Sequence, residues 1–307
     1  MIVLLEVSVR ILIMIALGFT LRKLKIIDEH IQKGLSNVLL YAALPMSILA
    51  SSGYERTQDL TQAMLLMAGI SIVYYAISLI TMYFISKKLT FNDKKRRVFV
   101  TMSVFANTGF LGFPLMEALY GQKGLLLAVV YNMAYNIFMY SFGVHMLSGE
   151  VGDFKKMILN PVSLASVVAI IIFISPFKIP IIVETPIKDI GALTVPLSMI
   201  IVGSGLAPIP IRRILSDYSA YLVSFFRLLF WPALMIVGML FLPIDPQTKA
   251  IAVLMTALPC GSMNVIFSEK YDCEPEFAAR TVVQSMVLMS ISLPLMILVC
   301  HFICKAS

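Results

Sequence analysis

The chain has 307 residues, of which 59% are hydrophobic and 13% charged, and its mean hydropathy is +0.91. Ordinary soluble domains carry about 25% charged residues, so this composition excludes a soluble fold and makes the lipid bilayer the solvent. The net charge of +7 implies no nucleic-acid partner, because its distribution over loops accounts for it.

A hydrocarbon core about 30 Å thick needs about 20 apolar residues per helix. Ten stretches fit in chain order: 3–21, 35–52, 60–85, 98–119, 125–147, 158–176, 188–207, 218–242, 250–268 and 277–303. Runs this long and continuous do not read as barrel strands. The first is followed, not preceded, by basic residues (Arg22, Lys23, Lys25), and reads as a retained span rather than a cleaved signal. An all-α integral membrane protein with ten transmembrane helices is expected.

Lysine and arginine set the orientation. With flanking span ends, loops after odd-numbered spans carry 16 basic residues; those after even-numbered spans, with the C-terminal tail, carry 6. The basic side is cytoplasmic, which places both termini outside a multi-pass protein of the cell membrane. Lys94-Lys95-Arg96-Arg97 reads as a solvated loop that fixes topology.

The chain also repeats itself. Leu44-Pro45-Met46-Ser47-Ile48 in span 2 resembles Val195-Pro196-Leu197-Ser198-Met199 in span 7, an offset of 151. An offset of 152 sets Arg97 on Lys249, Asn107 on Pro259, Gly109 on Gly261, Glu117 on Glu269 and Asn132 on Gln284. Five spans per half is an odd number, so the halves have opposite topology, as in transporters built from inverted repeats. The repeats are residues 1–147 and 158–307, joined by a short cytoplasmic linker at 148–157.

Two spans carry breaks. Span 4 contains Asn107-Thr108-Gly109 followed by Gly112-Phe113-Pro114, and span 9 contains Pro259-Cys260-Gly261-Ser262-Met263-Asn264. Proline removes a backbone donor and clashes with the preceding turn, and glycine weakens a helix further. Asn107 lies ten residues after Arg97 and Pro259 ten after Lys249, about 15 Å from opposite faces. Both breaks fall near the midplane, where freed backbone groups must line a cavity or be buried in protein. Broken helices there form substrate sites whose half-helix N-termini favour anions; packing kinks are the plainer alternative.

Asn107 and Thr108, beside Gly109, are read as substrate contacts or half-helix caps. Asn132 and Asn136, at i and i+4 in span 5, share a face and line the cavity or join helices. Pro259, Gly261, Ser262 and Asn264 mirror the first break. Ser47 and Ser51 in span 2 either face the site or serve close packing. Arg227 in span 8 is the buried-charge candidate: it pairs with a carboxylate or snorkels to headgroups. Glu6 and Arg10 read as an interfacial ion pair. The four cysteines form no CxxC pair, and His30, His145 and His301 have no ligand spacing, so no metal or cofactor is expected. The 20 methionines fit adaptable apolar packing. No HExxH or GxSxG motif occurs, and no enzyme activity is expected.

Asn107-Thr108-Gly109 with Gly112-Phe113-Pro114-Leu115 resembles the span 4 signature of the auxin efflux carrier family, which includes plant PIN-type carriers and compact bacterial permeases. Leu21-Arg22-Lys23-Leu24, Leu44-Pro45, Gly203-Ser204-Gly205, Arg227 through Pro232, Leu258-Pro259 and Glu269-Lys270-Tyr271 extend the resemblance along the chain. It implies a scaffold of spans 1, 2, 6 and 7 and a transport domain of spans 3–5 and 8–10. Spans 4 and 9 would cross, and transport would follow an elevator mechanism. It also implies a small organic anion as substrate and a homodimer through the scaffold. The short linker resembles compact bacterial members, for which dicarboxylates such as malate or malonate are the suggested cargo. No Asp or Glu stands beside either break; Glu117 and Glu269 lie ten residues further on. Uncoupled, voltage-driven efflux is the expectation, with proton or sodium coupling the alternative. A receptor or channel subunit is the other class; a channel would need a continuous polar pore rather than polar residues clustered at mid-depth.

Overall fold

The computed structural model describes residues 2–149, 159–175, 179–207 and 217–306, with side chains of residues 2–8, 301 and 303–306 left aside. The linker from residue 150 onward and the Glu6 side chain therefore lie outside the described residues. Among the described residues the protein is all helix, except for one isolated antiparallel bridge between Ala106 and Cys260.

The first stretch holds α1 (Ile2–Lys23), α2 (Glu29–Val38) and α3 (Leu44–Ser51). The side chain of Asp28 caps α2 by accepting from Ile31 N at 2.8 Å. Then come α4 (Gln58–Lys87), α5 (Asp93–Val104), α6 (Phe113–Phe138) and α7 (Val144–Ser148). Later follow α8 (Pro161–Ile174), α9 (Ile181–Gly191), α10 (Thr194–Leu206), α11 (Tyr218–Phe225) and α12 (Trp231–Leu240). The last are α13 (Pro246–Thr256), α14 (Ser262–Lys270) and α15 (Pro275–Ala306).

Four π-helical turns interrupt these helices: Leu39–Ala43, Thr108–Gly112, Met139–Gly143 and Phe226–Phe230. Three end two residues before a proline: Pro45, Pro114 and Pro232. A proline ring clashes with the carbonyl four residues back, and widening the preceding turn lets the helix continue. Inside α6, Gly121 has φ 62 and ψ −152, a conformation open essentially to glycine alone. The chain turns there, so the 41-residue stretch Thr108–Ser148 is not one straight rod.

Among the described residues, six stretches are long and apolar enough to cross a membrane: Glu29–Ser51, Gln58–Lys87, Thr108–Ser148, Ile181–Leu206, Tyr218–Leu240 and Pro275–Cys300. Outside these stretches α1 runs for 22 residues, and the other helices are shorter than the expected spans. The α8 helix has 14 residues, about 21 Å, and α5, α13 and α14 have 12, 11 and 9. The run Lys94-Lys95-Arg96-Arg97 is helical, not a loop. Asn92 caps α5 by accepting from Lys95 N at 2.7 Å, and Asp93 in the first turn suits the positive helix end.

The chain forms two compact units. The first comprises Met1–Leu65, Gly109–Val130 and Ile158–Ile209; the second comprises Leu66–Thr108, Tyr131–Met157 and Pro210–Ser307. In the first unit α1 lies along α10 at backbone contact: a Cβ on Gly18 would strike the Ile200 carbonyl, and one on Gly203 the Ile15 carbonyl. Small residues of this kind let helices approach in lipid, where no hydrophobic drive assembles them. In the second unit Tyr75 stacks on Phe105 at 5.8 Å and Tyr74 meets Trp231 edge-on at 6.0 Å.

Candidate functional site

The second unit brings the two broken segments together. The α5 helix stops at Val104, and Phe105 turns extended, with φ −93 and ψ 109. The α13 helix stops at Thr256, and Gly261 is extended at φ −76 and ψ 136 before α14 begins. Between these ends the strands of bare backbone pair: Asn107 N donates to Pro259 O at 2.9 Å, and Gly261 N to Phe105 O at 3.0 Å. Cys260 N donates to Ser285 Oγ of α15 at 3.1 Å. Backbone groups freed by the breaks thus bond across the crossing, as a medium without water requires.

Side chains complete it. Thr108 Oγ1 donates to Asn132 Oδ1 at 2.6 Å. Asn264 Nδ2 donates to Phe105 O at 3.1 Å and to Gly261 O at 3.0 Å, while its buried Oδ1 has no partner among the described residues. Asn107 is 5% exposed, and its side-chain amide has no hydrogen bond among the described residues. Ser262 is half-buried at the start of α14, and Asn136 is half-buried in α6.

Arg227 is 0% exposed and takes neither expected role. Burial rules out snorkelling, and all five N–H groups are engaged within the second unit. Nε donates to Leu258 O at 2.9 Å, Nη1 to Tyr74 Oη at 2.5 Å and Val104 O at 2.9 Å, and Nη2 to Thr256 O at 2.7 Å and Met255 O at 3.5 Å. None remains for a substrate carboxylate. Four of these acceptors are carbonyls at the C-terminal ends of α5 and α13, which have no partners within their own helices.

The electrostatics follow from this. Each helix C-terminus carries roughly half a negative elementary charge, so two of them balance one guanidinium. At the N-terminal end of α14, no side chain caps the helix at Gly261.

Ser47, Ser51 and Gly109 lie in the first unit. Ser51 Oγ donates to Ile48 O within its own helix at 2.6 Å, and Ser47 Oγ donates to Glu117 Oε2 at 2.8 Å. The two glycines paired by the repeat differ. A Cβ on Gly109 would meet nothing within 4 Å, whereas one on Gly261 would lie 2.6 Å from Ala106 O. Sequence reasoning missed Tyr74 and Ser285. A tyrosine in the middle of an apolar span is a signal, because its buried hydroxyl needs a partner.

Broken helices that meet in this way are a feature of membrane transport proteins. A family profile described as membrane transport protein matches residues 3–157 and 151–297. The chain belongs to this family, the auxin efflux carrier family that its motifs resemble. It is 25% identical over 296 residues to an uncharacterized transporter of Methanothermobacter thermautotrophicus, covering 94% of this chain and 96% of that protein. It is 22% identical over 287 residues to an uncharacterized transporter of Methanocaldococcus jannaschii, covering 90% and 92%.

Proposed function

We propose that the chain is a secondary carrier for small organic anions, carboxylates in particular, and not an enzyme. In this reading ten spans form two inverted repeats, both termini lie outside the cell membrane, and the helices bearing the crossing move in elevator fashion. One observation carries the anion assignment: Arg227 cancels the negative helix ends at the crossing while the positive end of α14 stays uncapped. Asn107, Thr108, Asn132 and Asn264 supply amide and hydroxyl groups of the kind that bind a carboxylate by hydrogen bonds. Family membership supports transport, and the compact linker favours dicarboxylates over auxin.

Counterflow tests the reading. Vesicles loaded with unlabelled malate or malonate and carrying the purified protein take up the labelled compound; a channel or receptor does not exchange in this way. Asn107→Ala is expected to lower exchange at least tenfold with unchanged thermal stability. Exchange that survives Asn107→Ala and Asn264→Ala undiminished would place the site elsewhere. A proton-coupled permease is the second reading, and the bond between Ser47 and Glu117 favours it.

A further inference from the structure

Glu117 is an ionisable side chain to which an uncoupled carrier gives no part. It lies nine residues beyond Thr108 on the segment that starts at the first break, about 14 Å along a helix. Its Oε2 accepts from Ser47 Oγ of α3 at 2.8 Å, and Gln122 Nε2 stands 3.5 Å from Oε1. Ser47 is 1% exposed and Glu117 is half-buried. Gly191 closes over this point, since a Cβ there would lie 2.9 Å from Ser47 Cα.

Among the described residues Glu117 is held by Ser47 and not by an ion pair. The α3 and α8 helices contain no ionisable residue. On α9, which packs on α3, Glu184 and Lys188 pair with each other at 2.6 Å, and Asp189 is exposed. On its own helix Tyr120 and Lys123 are the near titratable groups, and among the described residues neither bonds to Glu117. Glu117 stands near the end of span 4, four residues before the turn at Gly121; a half-buried carboxyl held there by a hydroxyl is placed to exchange a proton with water. It has two workable states. Ionised, it accepts from the Ser47 hydroxyl; protonated, it donates to Ser47 Oγ, whose own proton turns elsewhere.

We propose that Glu117 is the proton site of the carrier, and that proton and organic anion move together in the same direction. The proton enters from water onto the Glu117 carboxyl and leaves to water on the other side, with no bond broken but its own O–H. Binding reverses the Ser47–Glu117 hydrogen bond and so changes the hold of α3 on the segment that carries Glu117 within the first unit. The inference rests on the carrier reading and replaces the uncoupled mechanism with symport.

The test uses vesicles held at zero voltage by potassium and valinomycin, acidic outside and alkaline inside, with labelled malate. One proton per malate supports up to about tenfold accumulation per pH unit. Wild type is expected to accumulate malate; Glu117→Gln is expected to lose accumulation but keep counterflow. Ser47→Ala, which keeps the carboxyl and removes its partner, is expected to exchange normally while accumulation falls severalfold. Wild-type exchange without gradient-driven accumulation would overturn the proton site and leave the carrier intact. Accumulation by Glu117→Gln at the wild-type level would do the same. If Glu117→Gln neither exchanges nor accumulates, Ser47→Ala decides: accumulation equal to wild type overturns the proposal. Absence of any malate exchange by wild type brings down the dicarboxylate reading and this inference with it.

Discussion

A guanidinium removed from water needs five acceptors and an answering charge, and Arg227 finds them in four main-chain carbonyls at two helix ends and the Tyr74 hydroxyl. Substitution therefore strands several buried groups at once. Arg227→Met is expected to destabilise the protein by about 3–5 kcal/mol, the range for breaking a buried charged network. Arg227→Lys keeps the charge but offers three donors from one point; leaving acceptors unmet, it is expected to cost about 1–3 kcal/mol. Thermal unfolding in detergent measures both, and a melting temperature unchanged in Arg227→Met would show that the network is not structural. The sequence made Arg227 conspicuous as a charge within an apolar span. Four of its five partners were illegible because they are carbonyl oxygens, which every residue carries, and only folding decides which ones converge.

At the scale of elements, the breaks were readable because proline and glycine declare them, yet their equivalence under the repeat was misleading. Gly109 and Gly261 correspond at the 152 offset, but only Gly261 lies against backbone, 2.6 Å from Ala106 O at its would-be Cβ. Gly261→Ala is expected to force the paired segments apart at about 1–3 kcal/mol, the usual cost of overpacking. Gly109→Ala should change stability by less than about 1 kcal/mol. Equal melting temperatures for the two variants would mean that the close approach does not hold the crossing together. The π-helical turns before Pro45, Pro114 and Pro232 were not legible: proline announces a disturbance, but not whether the helix kinks, stops or widens. The short α8 was also hidden, since an apolar run extends past the point where Ser175 leaves the helix.

For the whole molecule, composition dictated helices in lipid, and charge bias supplied the proposed orientation. One charged tie at the edge of the second unit has a definite pH dependence. Lys94 Nζ reaches Asp272 Oδ2 at 2.9 Å and Asp272 O at 2.7 Å, where the chain turns with positive φ at Asp272 and Glu274. The hydrogen bond from Lys94 holds the Asp272 carboxyl below its usual range. A lowered carboxyl stabilises the fold above its ordinary pKa, about 3.9, and loses that contribution as pH falls through its lowered folded value. Hydrogen exchange in the 271–274 turn is expected to speed up below about pH 4 beyond the intrinsic rate. With both groups largely exposed, global stability should scarcely change.

The crossing is stitched by Asn107 N with Pro259 O and Gly261 N with Phe105 O, atoms that survive almost any substitution. Drift in the surrounding side chains can thus redraw which cargo is recognised without unpicking the seam. A lineage can keep its machinery while changing its trade, provided that the one position where a methyl group would intrude stays bare.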